Sequence, residues 1–247
     1  MIRKQMVAPN LFTIFNLFLG FLAIVFSTQE RFVTAAWLII IAAICDVLDG
    51  KIARAVQGHS NFGVEFDSLA DVVSFGAAPA MLIYLAQLHD LGTFGLVISF
   101  SLLAAGAIRL ARFNTRTGGS KKSRFFEGMP IPSGAILICS YVLFSYHHWH
   151  LMRLPALSIM LLLTASVLMV STIEFASMPL FSFKHGKSNT MLMLAVLTGT
   201  ALFLFFREQA LFPIFIIFIF SQLFRAAINH LREDDEEPLP DISVSKH

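Results

Sequence analysis

Apolar residues run through this chain in long unbroken stretches, separated by short polar segments. A bilayer core is about 30 Å thick, which a helix of about 20 residues crosses. Stretches of that order lie at about 10–27, 33–56, 64–86, 92–113, 131–149, 154–173, 189–206 and 210–230. Barrel strands would alternate apolar and polar residues with a period of two, and these runs do not alternate. In lipid the backbone must satisfy its own hydrogen bonds, which leaves a helical bundle. The pattern predicts an all-α polytopic membrane protein with about eight transmembrane helices.

Composition agrees: 56% of residues are hydrophobic, only 14% are charged, and Phe is used 26 times. A soluble domain of this make-up would expose far too much apolar surface. The net charge of +2 is small, and no nucleic-acid partner is expected. Cys45 and Cys139 both sit in apolar runs, so neither a disulfide nor a zinc site is expected. The first run is followed at once by others, which suggests a retained helix rather than a cleaved leader.

Charge changes the picture through its placement. With eight crossings the connecting segments fall into two alternating sets. One set holds only Arg31, Arg153 and Arg207 of the 18 Lys and Arg residues. Positive residues collect on the cytoplasmic side, so both termini are expected there. Two long segments, 114–130 and 174–188, share that side. Lys121, Lys122 and Arg124 in the first suit anionic lipid head groups. His147, His148 and His150, beside Trp149, read as an interfacial outer loop rather than a metal tract. Residues 1–232 are expected to form one membrane-embedded domain, with a core over about 6–175, extra helices over 189–230, and an acidic, solvated tail at 233–247.

Against this apolar background the acidic positions stand out. Asp46 is followed by Asp49, Gly50, Ala53 and Arg54; eight residues later comes Gly63, then Asp67 and Asp71. An ionisable side chain at membrane depth is costly and marks a functional site by default. Asp46 and Asp49 share one helix face, and Asp67 and Asp71 share a face of the next helix. Antiparallel packing would bring four carboxylates together, and four like charges require a cation. Carboxylate oxygens without His or Cys suit magnesium, manganese or calcium and not zinc. Gly50 and Ala53 permit close approach of a ligand, and Arg54 offers a planar fork for phosphate. Together they fit a metal-dependent transfer at a pyrophosphate, with one carboxylate free to act as a base. An ion or solute pathway is the rival, but such sites usually lie at the bilayer midplane rather than at one edge.

This spacing resembles, at every fixed position, the signature of the CDP-alcohol phosphotransferases. The resemblance implies an integral membrane enzyme that displaces CMP from a CDP-linked donor with an alcohol, using two divalent ions, Mg2+ or Mn2+. It implies Asp46, Asp49, Asp67 and Asp71 as metal ligands, Asp71 also as the base, and Gly50, Ala53, Arg54 and Gly63 along the CDP site. It also suggests a homodimer in the cytoplasmic membrane, with the site facing the cytoplasm.

Flanking segments narrow the expectation. Pro9 to Thr13 with Asn16 and Gly20, Arg109 to Asn114, Phe126 to Pro132, and Met169 to Ser171 are similar to the branch of that family whose acceptor is serine. The implied reaction moves a phosphatidyl group from CDP-diacylglycerol to the hydroxyl of L-serine and releases CMP. Serine carries a carboxylate and an ammonium, for which Arg112, Asn114 and Glu127 are the candidate partners. Glycerol 3-phosphate or an inositol compound is the alternative acceptor, since Lys121, Lys122 and Arg124 could meet its phosphate.

Overall fold

The computed structural model describes residues 7–55, 61–117, 125–176 and 207–235; residues 49–55 are described only as helix. Apolar runs become helices: α1 (Val7–Thr28), α2 (Phe32–Ala55), α3 (Asn61–Asp71), α4 (Ala78–Ala86), α5 (Gly92–Thr117), α6 (Ile131–Trp149), α7 (Pro155–Val170) and α8 (Leu211–Asp235). A π turn, Val72–Ala77, joins α3 to α4, so the two act as one long span. The run expected at 189–206 and the tail beyond 235 lie outside the described residues, as do Lys121, Lys122, Arg124, Lys184 and Lys187.

Among the described residues, four helices are long and apolar enough to cross a membrane: Leu11–Thr28, Phe62–Ala86, Leu88–Thr115 and Glu208–Ala226. Shorter apolar helices cover Phe32–Leu48 and Pro155–Val170. Helix ends follow local chemistry. Pro132 and Pro155 sit in first turns, where their missing N–H is not needed. His150 closes α6 in the left-handed conformation at φ 55°.

α1 packs along α2 and also meets α3, the π turn and α4; α5 packs on α7, and α2 and α8 both flank α6. The core between them is mostly small or branched, with a few aromatic rings: Ala23, Ala35, Ile39, Phe75, Leu82, Leu102, Ile138 and Leu162 are buried. Outward positions such as Phe18, Phe100, Ile217 and Phe224 are exposed and apolar, as a lipid-facing surface requires.

Two features depart from the expected pattern. A short antiparallel ribbon pairs Phe125–Glu127 with Glu174–Ala176 in the register Phe126↔Phe175. It ties the two long connecting segments together. Gly128 follows at φ 77°, and its N–H donates to Ile173 O at 2.9 Å. A side chain there would collide with the Met169 carbonyl, so this tight return needs glycine. Second, His147, His148 and Trp149 are the last turn of α6 rather than a loop. His147 meets Glu208 at 3.1 Å, which fastens α6 to the 3-10 turn, Arg207–Ala210, that leads into α8.

Candidate active site

The carboxylates of the site come from two helices, α2 and α3. Asp46 lies near the end of the apolar part of α2, where the side-chain pattern turns polar. Asp67 and Asp71 lie one turn apart on α3, on the same face as Gly63. Each of Asp46, Asp67 and Asp71 offers a carboxylate oxygen, and these oxygens all lie within 4.8 Å of one another. Asp71 is buried, at 8% exposure, while Asp46 and Asp67 are half-buried. Three carboxylates this close repel strongly away from water, and a divalent cation is what relieves that repulsion. The donors are all oxygen, which fits a hard cation.

Asp49, Gly50, Ala53 and Arg54 continue α2 past Asp46, and their side chains lie outside the described residues. The spacing of Asp49 from Asp46 keeps it on the same helix face. Gly63 is half-buried in the first turn of α3.

Two residues outside the acidic motif act on Asp71. Asn16 of α1 donates from Nδ2 to Asp71 Oδ1 at 3.2 Å. Arg109 of α5 is buried and interacts electrostatically with Asp71. Its Nε has no hydrogen-bond partner among the described residues. A guanidinium is hard to bury unless something accepts from it, so the Nε–H of Arg109 is a buried donor with capacity to spare among the described residues. The available signal is the six-residue segment Arg109 to Asn114, which contains two arginines on one helix without saying which turns inward.

Arg112, one turn further on, is used differently. Its Nη1 donates to Val170 O at 2.9 Å, and its Nη2 to Ser171 O at 3.1 Å and Met169 O at 3.4 Å. These are carbonyls at the end of α7, which lack helical partners of their own. Met129 N–H donates to Leu168 O at 2.9 Å, so the same helix end is closed from both sides. Asn114 donates to Ser68 Oγ at 3.0 Å and Glu65 Oε2 at 3.2 Å, linking the end of α5 to α3 beside Asp67. Glu127 lies in the ribbon, and its side chain is outside the described residues.

Arg112→Ala is therefore expected to lower stability by roughly 1–2 kcal/mol, at the low end for charged hydrogen bonds because the group is half-exposed. A thermal melt in detergent reads this; an unchanged melting temperature would remove the capping role.

Comparison with known proteins agrees with this chemistry. A family model described as CDP-alcohol phosphatidyltransferase matches residues 6–177. A Helicobacter pylori protein named CDP-diacylglycerol–serine O-phosphatidyltransferase is 40% identical over 190 residues, covering 76% of this chain and 78% of its own. The archaetidylserine synthase of Methanothermobacter thermautotrophicus is 38% identical over 170 residues, 68% of each chain. A Methanocaldococcus jannaschii protein, also named CDP-diacylglycerol–serine O-phosphatidyltransferase, is 35% identical over 178 residues, 72% of this chain and 78% of its own.

Proposed function

The chain belongs to the CDP-alcohol phosphatidyltransferase family, and from that premise we propose that it transfers the phosphatidyl group of CDP-diacylglycerol to the hydroxyl of L-serine. The products are phosphatidylserine and CMP. The observation that carries this reading is the convergence of Asp46, Asp67 and Asp71 from two helices onto one point. The serine acceptor is supported by the names of the relatives.

Asp46, Asp49, Asp67 and Asp71 are the residues that would hold divalent ions, two of Mg2+ or Mn2+. Bound there, such ions would neutralise the pyrophosphate and stabilise the leaving phosphate. Gly50, Ala53 and Gly63 leave room for the CDP head, and Arg54 clamps its phosphate. Asp71 accepts the proton of the serine hydroxyl. The freed oxygen attacks the phosphorus that carries diacylglycerol, and the bond to CMP breaks with its electron pair leaving on CMP. A neutral hydroxyl is a weak nucleophile, so a base within reach is essential.

For the acceptor carboxylate, Arg109 is the better-placed cation. It is buried, it interacts electrostatically with Asp71, and its Nε–H has no acceptor among the described residues, whereas Arg112 already serves the end of α7. Asn114 and Glu127 lie at the same end of the bundle and complete the acceptor proposal.

The chain is an integral membrane protein. We place it in the cytoplasmic membrane with eight crossings, both termini and the carboxylates on the cytoplasmic side, and a homodimer as its assembly. The distribution of Lys and Arg supports this orientation.

A panel assay tests the acceptor. Purified protein receives CDP-diacylglycerol, Mn2+ or Mg2+, and serine, glycerol 3-phosphate, inositol or inositol phosphate. CMP release is expected with serine. Release with a phosphorylated acceptor but not with serine would overturn the acceptor assignment. Carboxylate-dependent ion flux in liposomes without CMP release would favour the transport reading.

A further inference from the structure

The first helix carries a polar stripe that the transfer chemistry leaves unused. Thr13, Asn16, Gly20 and Ser27 recur at helical spacing on one face of α1, and all are buried. Asn16 is the costliest of them, an amide at 0% exposure in an otherwise apolar helix. A buried amide is destabilising unless it is hydrogen-bonded.

Its bonds lie on either side of the base proposed above. Nδ2 donates to Asp71 Oδ1 at 3.2 Å. The main-chain carbonyl of Asn16 accepts from Ser74 Oγ at 2.9 Å. Ser74 belongs to the π turn that begins directly after Asp71. Gly20 makes this approach possible, because a Cβ there would run into Ser74. An ionised carboxylate only accepts, so the NH2 side of the amide must face Asp71. Asn16 Oδ1 has no partner among the described residues, so no other bond dictates the amide orientation.

The last torsion of an aspartate is broad, so packing alone does not set where its two oxygens point. A hydrogen bond to one oxygen sets both. We infer that Asn16 is a positioning residue for Asp71: clamped to α1 and braced through Ser74, it fixes the carboxylate in the orientation the transfer step needs. Nothing in this role requires Asn16 to touch either substrate. The inference rests on Asp71 acting in catalysis, and the test separates the two ideas.

Asn16→Leu keeps the branched shape and removes the donor, while Asn16→Asp keeps the shape and replaces the donor with an acceptor. Each is assayed for CMP release alongside Asp71→Asn, with a thermal melt of every variant. The Leu variant is expected to lose about 10- to 100-fold in kcat, as for other partners that orient metal ligands, with KM for both substrates within about threefold of wild type. The Asp variant should lose at least as much. Where Asn16→Leu fails to fold, Ser74→Ala decides: it removes only the brace and should lower kcat by a smaller factor at unchanged KM. Wild-type kcat in Asn16→Leu, or in Ser74→Ala where that variant decides, together with an inactive Asp71→Asn, would overturn the positioning role alone. So would a loss that appears in KM or only as a lowered melting temperature. Full turnover in Asp71→Asn would overturn the transfer mechanism itself.

Discussion

Asp71→Asn is expected to cut serine-dependent CMP release by about 10²–10⁴-fold, the range that a positioned general base supplies. The substitution keeps size and shape, and the amide can still meet Asn16, so the helix packing around it survives. Only the charge and the basicity are lost. The sign of the stability effect distinguishes this variant from a folding defect. Asp71 sits with Asp46 and Asp67 in a cluster within 4.8 Å, where like charges oppose one another. Neutralising one of them lowers that repulsion, so the metal-free variant should melt no lower than metal-free wild type. The same change should weaken the stabilisation that added Mn2+ gives. Turnover within tenfold of wild type would end the base assignment.

Removing the metal should have an effect of similar size. Exhaustive chelation is expected to abolish CMP release and to lower the melting temperature, and Mg2+ or Mn2+ should restore both. A ligand that binds only the folded state at 100 times its dissociation constant stabilises by about 2.7 kcal/mol. The physical basis is the donor set: three converging carboxylates with no nitrogen or sulfur among them. Zn2+ is expected to be a poor replacement, because it prefers His and Cys. Full activity after chelation, checked by metal analysis of the sample, would leave the carboxylate cluster without its proposed role.

The carboxylate cluster and the buried arginine differ in how far sequence could reach. Asp67 and Asp71 are four apart, so any helix puts them on one face, and Asp46 follows the same logic on α2. Helical periodicity is a local property and needs no knowledge of neighbours. Arg109 and Arg112 are three apart and equally polar in sequence. Which one enters the bundle depends on how α5 is rotated against α7, and the end of α7 captured Arg112. The expectation of Arg112 at the acceptor site rests on its place near the end of its apolar run, which Arg109 shares. In sequence Asn16 is only one residue of a flanking segment, since its partner lies 55 residues away.

The ribbon between Phe125–Glu127 and Glu174–Ala176 shows the same limit. Each strand is three residues long, too short for any alternation to register, and their pairing closes a loop around two whole helices. The π turn after Asp71 is likewise invisible in composition, because Val72 to Ala77 reads as ordinary apolar helix. It matters because it brings Ser74 against α1.

By itself the sequence determined the membrane setting, the helical class, seven of the expected helices within the described residues, and the carboxylates that share each helix face. Those follow from hydropathy and from the 3.6-residue repeat, which act over a few turns of one segment. The tertiary structure alone decided that α1 lies against the carboxylate helix, that Arg109 rather than Arg112 is buried beside Asp71, and that a ribbon joins the two long connections. Those depend on which surfaces meet across the bundle, and that is settled by packing among distant segments rather than by the order of residues in any one of them.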